Sequence, residues 1–504
     1  MGGTATTAPD VICPPGLAAG IWPRSARLES DDEISVAGVR LSTLAARYGT
    51  PAYIIDEADV RYRCQTYSAA FPYAEIAYAG KAFLCRAMAE WIAEEGLSLD
   101  VCSAGELAVA RSVSFPAGRI VLHGNAKTPG DLRAAVDDGV GRIVIDSASE
   151  IIRLAALARP RQRVLIRVTP GVDAHTHQAV ATGVEDQKFG FSLSSGAAAD
   201  AVRRVLTHPE LEFVGLHSHL GSQITHLSAF EVAARRLIGL MADVRERHGL
   251  ALAELNLGGG HAVPYVAGDE DFNLTEFADR ISRVVRDECA SLRLPVPRLT
   301  FEPGRAIVNR AAVTLYRVLA VKHVTEARTF VAVDGGMSDN PRPALYGARY
   351  SVRAVRPSQA PMQPVTVVGR HCEAGDVLAC GAAAVGRAHR PGLHLRGIAA
   401  VDAGAVPGVD PARRRSAVRH ARAARGRAHQ GRSAPGSRTV GAQRRAARPA
   451  ETRTSRTLRT PRTLRASVPE RSARRSGRTP PRCPASLTEP STSARVPACS
   501  FWVL

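Results

Sequence analysis

The chain has 504 residues, nine cysteines and a formal net charge of +19. The basicity is local: residues 381–504 carry 26 arginines, no lysine and 5 acidic residues, which leaves residues 1–380 with 40 basic and 42 acidic side chains. An evenly charged nucleic-acid coat is therefore excluded for most of the chain, and the length suits two domains with a large core.

The cysteines show neither CxxC spacing nor a disulfide framework. The first residues lack a basic-then-apolar leader, and no apolar run approaches the ~20 residues of a bilayer span. A soluble, cytoplasmic protein without membrane contact is the expectation.

In chain order, residues 1 to about 30 are rich in Gly, Ala, Pro and Thr. Residues 33–40 read as a short strand, Leu41–Tyr48 has helical spacing that stops at Gly49, and Pro51–Asp56 reads as a strand. Alternation then sets in. Apolar β-runs occur at 75–79, 98–101, 119–122, 142–145, 164–168, 213–216, 254–257 and 298–301. Between them lie stretches of helical period, among them 106–111, 131–137, 150–158, 199–206, 229–247 and 276–289. Eight strands alternating with helices predict an α/β fold whose parallel sheet closes into a (β/α)8 TIM barrel.

Past Arg305 the runs 312–324, 329–333 and 364–369 are rich in Val, Leu and Thr, as in an antiparallel β-domain. From about residue 380 the text is Arg, Ala, Pro, Ser, Gly and Thr without a lasting period, which predicts disorder. Out-of-frame reading of a GC-rich gene produces such text; a genuine basic arm is the alternative. The boundaries read as an N-terminal segment 1–48 that partly joins the β-domain, a barrel 49–310, a β-domain 311–379 and a tail 380–504.

Active-site groups of a parallel barrel gather where its strands end. Lys81 follows the first run, and a lysine there is either a solvated charge or an amine that can condense with a carbonyl. The sixth run ends in Leu216-His-Ser-His219-Leu-Gly221-Ser222, the seventh in Gly258-Gly-Gly260-His261, and the eighth in Glu302-Pro303-Gly304-Arg305. His217 and His219 share a strand face, so a metal pair is one reading, but no third ligand is evident; stacking on an aromatic cofactor or a structural role are the others. The triple glycine can bring backbone N–H groups around a phosphate, or simply make a tight turn. Glu302 could keep a pyridine nitrogen protonated, or pair with Arg305 at the rim.

Taken together, these groups resemble the fold-type III pyridoxal phosphate enzymes and, within them, the diaminopimelate decarboxylase family. Further motifs carry the resemblance over residues 30–379: Tyr53-Ile-Ile-Asp56, Arg167-Val-Thr-Pro-Gly-Val-Asp173-Ala-His-Thr-His177, Lys188-Phe-Gly190, Asp334-Gly-Gly-Met-Ser-Asp339, Arg342-Pro-Ala-Leu-Tyr346 and His371-Cys-Glu373. The resemblance implies an alanine racemase-like barrel, pyridoxal 5'-phosphate as cofactor and no metal. Its reaction is decarboxylation of meso-2,6-diaminopimelate to L-lysine.

By the same resemblance Lys81 would carry the cofactor, His219 would stack on its ring and Glu302 would face its nitrogen. Ser222, Gly260 and the turn Pro303-Gly304-Arg305 would hold the phosphate. Arg305, Arg342 and Tyr346 would bind substrate carboxylate. Cys372 would be the proton donor and Glu373 the ligand of the distal ammonium, both reaching in from the other subunit of a homodimer.

This chain departs from the family after Cys372-Glu373, where further β-strands and a tyrosine are replaced by the Arg-rich text. Weak folding of the β-domain, poor dimerisation and reduced activity are therefore expected. The alternatives are a decarboxylase of ornithine, arginine or carboxynorspermidine, and a protein that binds the cofactor without turnover. Nucleic-acid binding through the tail would be salt-dependent and unspecific, since the tail lacks interleaved aromatics.

Overall fold

The computed structural model describes residues 17–18, 20–158, 161–173, 182–183, 188–325, 328–356, 364–383 and 398–400. Eight strands form a ring: β1 (Glu75–Ala79), β2 (Ser98–Val101), β3 (Ile120–Leu122), β4 (Arg142–Ile145), β5 (Gln162–Thr169), β6 (Leu211–His217), β7 (Glu254–Asn256) and β8 (Arg298–Phe301). All neighbours are parallel, and the ring closes with Ile143 of β4 opposite Val164 of β5 and Thr300 of β8 opposite Glu75 of β1. The predicted (β/α)8 barrel is formed.

The helices between strands start where the sequence supplies caps. Ser103 accepts the Glu106 N–H, Thr128 and Asp131 make a reciprocal capping box, and Asn273 accepts the Glu276 N–H. Among the described residues no helix is long and apolar enough to cross a membrane.

The strands' period of two separates two environments. Ile120 and Leu122, Ile143 and Ile145, and Val164 and Ile166 pack against the helices in the main core. The residues between them, Val121, Val144 and Leu165, join Val214 in a separate small cluster inside the ring. Below this apolar waist lies a charged floor built from strand starts. Arg142, 3% exposed, donates to Glu75 (2.8 Å) and Glu254 (2.9 Å), and Arg298 pairs with the same two carboxylates at 3.0 and 2.8 Å. Above the waist the inward residues are polar: Asp100, His123, Asp146, Arg167, His217, Asn256 and Glu302, all buried.

The strand Ala52–Ile55 has the predicted type but another partner than the expected boundary at 49 implied. It pairs antiparallel with Ala312–Leu315 and so belongs to the β-domain, which makes helix Glu57–Ala70 the first element on the barrel side. Local pattern sets strand type, whereas the pairing depends on residues 260 positions away. The predicted strand at 33–40 is a hairpin of Ile34–Val36 and Val39–Arg40, turning at Ala37 and Gly38 with φ of 51° and 75°. Ile21, Trp22, Ile34, Val36 and Leu41 pack on Ile54, Val313 and Leu315, so the N-terminal segment covers this sheet.

A second sheet runs Val318–Thr325, Arg328–Val333, Pro364–Val368, Val377–Ala383 around a core of Tyr316, Val331, Val333, Val365, Val367 and Leu378. The expected onset of disorder at 380 needs correction. Residues 380–383 complete the last of these strands, and Ile398–Ala400 inserts between Ala312–Tyr316 and Val352–Ala354. Open sheet edges recruit whatever backbone can reach them, largely regardless of side chain. The rest of the predicted tail, 384–397 and 401–504, lies outside the described residues, as does Ala174–His177 of the Arg167 motif.

Arg142→Met would leave Glu75 and Glu254 short of their buried partner. Removing one side of a buried ion network costs roughly 3–5 kcal/mol, so the urea midpoint and melting temperature should both fall clearly. A variant as stable as the parent would show that Arg298 and Arg163 suffice to neutralise the floor.

Candidate active site at the barrel mouth

Lys81 sits in a single 3-10 turn, Gly80–Ala82, that follows β1 directly. The turn is pinned on three sides. The Tyr78 hydroxyl donates to the Phe83 carbonyl (2.8 Å), the Ala79 N–H donates to the Pro303 carbonyl (3.1 Å), and a Cβ on Gly304 would come within 3.0 Å of the Ala79 and Ala82 side chains. The Lys81 turn therefore packs on the Pro303-Gly304 turn of the adjoining strand β8. Its ammonium is felt across the mouth: it opposes the rise that burial imposes on the Asp100 and Glu106 carboxyls and adds to burial in lowering the His217 and His219 imidazoles.

The barrel's other enclosed lysine is fully engaged. Lys127 reaches Glu150 and the carbonyls of Gly124 and Val144, each at 2.6 Å. It ties two loops together, and Lys81 stays half-buried at the mouth.

Glu302 is 3% exposed and surrounded by nitrogen. His123 Nε2 lies 2.9 Å from Oε1, Asn256 Nδ2 donates to Oε1 at 2.7 Å, and His217 Nε2 lies 3.3 Å from Oε2. Burial alone would raise this carboxyl, but His123 and His217 outweigh it and hold the group well below the usual carboxylate range. Burial pulls His217 itself down, with Glu302 opposing that shift. Burial drives Asp100 the other way, up to about 6, with His123 and Lys81 opposing and Glu302 reinforcing the rise. Two carboxyl groups thus share one pocket with opposite tendencies.

The two histidines read as a possible metal pair go separate ways. His217 turns to Glu302, while His219 Nδ1 accepts the Gly259 N–H at 3.2 Å. His217 instead groups with His123 and Glu302, whose side-chain N and O atoms lie within 4.8 Å of one another, a set that leaves His219 out. Only closure of the barrel places β3 near β8 in this way. For His219, burial first and then Lys81 and Arg167 push the pKa well below the ordinary value, so its flat ring is uncharged.

The glycine triplet earns its composition from close backbone approach. A Cβ would lie 2.6 Å from the Ser218 carbonyl at Gly258, 2.0 Å from that of Glu302 at Gly259 and 2.1 Å from that of Gly221 at Gly260. The first two amides are used internally, Gly258 N–H by Asn256 Oδ1 (2.8 Å) and Gly259 N–H by His219. The Gly260 N–H has no such partner among the described residues, and Ser222 stands on the adjoining loop. That loop is stitched to the Gly260 strand end: Ile224 N–H donates to Gly260 O (2.9 Å), and the Gln223 amide makes two bonds with the Val263 backbone (2.9 and 3.1 Å).

Arg305 and Arg342 come together through residues the sequence reading did not single out. Arg305 donates to the Tyr265 hydroxyl (3.0 Å), Arg342 to the Tyr350 hydroxyl (2.9 Å), and the two tyrosine rings meet edge-on at 4.8 Å. Arg342 also lies 5.5 Å from the Tyr346 ring, whose hydroxyl burial pushes up while Arg342 and Arg305 pull down. Cys372 and Glu373 are exposed on the turn between Pro364–Val368 and Val377–Ala383. Asp376 shapes that turn, accepting the Met337 N–H (2.6 Å), the His371 N–H (2.9 Å) and His371 Nδ1 (2.8 Å).

These features fit pyridoxal phosphate. The amine, the ionised carboxylate, the uncharged imidazole and a glycine cradle with one amide to spare converge at one mouth. Comparisons with known proteins agree. A family model described as the pyridoxal-binding domain of pyridoxal-dependent decarboxylases matches residues 57–309. Diaminopimelate decarboxylase of Actinosynnema pretiosum subsp. auranticum is 59% identical over 365 residues, spanning 72% of this chain and 82% of the relative. That of Mycobacterium tuberculosis (strain ATCC 25618 / H37Rv) is 50% identical over 375 residues, 72% of this chain and 84% of the relative. The solved structure of diaminopimelate decarboxylase from M. jannaschii in co-complex with L-lysine superposes with a TM-score of 0.68 at 28% identity, covering 76% of this chain and 88% of that one.

The raised Asp100 carboxyl has a consequence for stability. Its neutral form stabilises the fold fully below pH 3.8, and that contribution is lost as the pH rises through about 6. Asp100→Asn should flatten the pH dependence of the melting temperature across this window. An unchanged slope would mean that Asp100 titrates as an ordinary exposed carboxyl.

Proposed function

The chain belongs to the diaminopimelate decarboxylases of the pyridoxal-dependent decarboxylase family, and on that basis we propose that it converts meso-2,6-diaminopimelate to L-lysine and CO2. The observation that carries the reading is the buried, ionised Glu302 on the strand beside the Lys81 turn. A pyridoxal-dependent decarboxylase of this fold uses an anionic partner for the pyridine nitrogen beside an amine that can carry the cofactor.

Pyridoxal phosphate, when bound, supplies a protonated ring that takes up the electron pair left at the α-carbon as CO2 departs. The chain's residues do the rest. Lys81 is the amine that would hold the cofactor's carbonyl carbon. Glu302, fixed by His123, His217 and Asn256, keeps the proton on the facing nitrogen. His219 offers an uncharged flat surface, while Gly260, Ser222 and the turn at Pro303, Gly304 and Arg305 take the phosphate.

Arg342, with Tyr346 and Arg305, pairs with the substrate's distal carboxylate, a bidentate match that lysine would not make. This favours a substrate carrying a carboxyl group at its far end over ornithine or arginine. Cys372 and Glu373, exposed on one chain, act in the mouth of a second copy in a homodimer. Cys372 returns the proton to the α-carbon, and Glu373 binds the distal ammonium.

Lysine release from meso-diaminopimelate tests the reading. Lys81→Ala should abolish it, and Glu302→Gln should lower kcat by about 10²-fold or more, the scale lost when a charge-stabilising group is removed from a reacting centre. A parent chain that binds the cofactor but releases no lysine would instead make it a binding protein disabled by its altered C-terminal strands.

Mixing inactive Lys81→Ala with inactive Cys372→Ala should restore activity that neither has alone, because mixed dimers contain one intact mouth. No recovery, with both variants dimeric, would place Cys372 outside the partner's site.

A further inference from the structure

The geometry points to Asn256 as a positioning residue that holds Glu302 and the glycine turn in one rigid frame, so that the pyridine and phosphate ends of the cofactor site are set by a single amide. This rests on the reading of Glu302 and Gly260 just given. Asn256 is the last residue of β7 and is 1% exposed. Its Nδ2 donates to Glu302 Oε1 at 2.7 Å, and its Oδ1 accepts the Gly258 N–H at 2.8 Å. The orientation of the amide is dictated by its neighbours, since an ionised carboxylate only accepts and a backbone N–H only donates.

The two segments it joins are already in contact. The Glu302 N–H donates to the Gly258 carbonyl at 2.8 Å, and Gly258, with φ of 69°, has no room for a Cβ. The side-chain amide closes a ring over that backbone bond. Without it, Glu302 Oε1 would be held by His123 alone, and Gly258 would begin its left-handed turn with an unpaired buried N–H. The direction of the Gly260 N–H, two residues on, follows from that turn. The charged and titratable groups facing Glu302 are His123 and His217 in contact, with Asp100 and Arg167 next to them. Lys81 stands across the mouth.

Asn256→Asp and Asn256→Ala separate the two jobs. Aspartate keeps the acceptor for Gly258 but replaces the donor to Glu302 with a second carboxyl. We expect its affinity for pyridoxal phosphate, measured by equilibrium dialysis, to stay within about threefold of the parent. The pH at which the bound cofactor's visible band titrates should shift, as it should in Glu302→Gln. Alanine removes both contacts, so affinity should fall about tenfold or more along with the spectral shift.

The inference is overturned if both variants bind the cofactor like the parent, with an unmoved spectral titration and only a lower melting temperature. If Glu302→Gln moves the titration and the Asn256 variants do not, Asn256 alone has been misread. If Glu302→Gln also leaves it unmoved, the assignment of Glu302 falls, and Asn256 falls with it.

Discussion

A carboxylate removed from water survives as an anion only where donors replace its hydration, and Glu302 is that group here. Its partners arrive from three other strand ends: His123 from β3, His217 from β6 and Asn256 from β7. None of these can supply a bond unless the barrel closes in the right register. The charged state of one side chain is thus a readout of the whole ring, and through Asn256 it is tied to the glycine turn.

The barrel interior separates charge into two tiers. Glu75 and Glu254 pair with Arg142, Arg298 and, at the edge, Arg163 on the floor, and the Asp100–His123–Glu302 group occupies the mouth. Between them Val121, Val144, Leu165 and Val214 form a dry waist. Across such a low-dielectric layer the floor charges would act strongly on the mouth if they were unbalanced. Their mutual pairing leaves Lys81, Arg167, Asp100, Glu302 and the histidines to set the electrostatics of the mouth.

The β-domain contributes differently. Arg342 and Tyr350 reach the barrel through Tyr265, so the placing of this cation depends on β-domain packing. Cys372 and Glu373 instead face outward on a turn organised by Asp376. The mouth and this turn are therefore separate features of a single chain, one enclosed and one exposed. The Arg-rich text begins just beyond that turn, where it supplies the end of one strand and a short inserted one.

Much of this was legible in the residues themselves. The eight strands follow from short apolar runs between turn signals, and Lys81, the glycine triplet and Glu302-Pro-Gly-Arg305 stand out because strand ends are where such barrels do chemistry. These are properties of a few consecutive residues. The sequence reading did not single out His123, Asn256, Asp100, Tyr265 or Arg142 as functional or structural partners. It also drew the barrel's bounds at 49–310, which take in the strand Ala52–Ile55 that pairs with Ala312–Leu315. Each of these owes its role to a neighbour tens to hundreds of positions away, and no local pattern encodes that distance. Chemistry-bearing types at strand ends were determined by the sequence alone; which of them meet, and in what charge state, was decided only when ring closure excluded water and set the register.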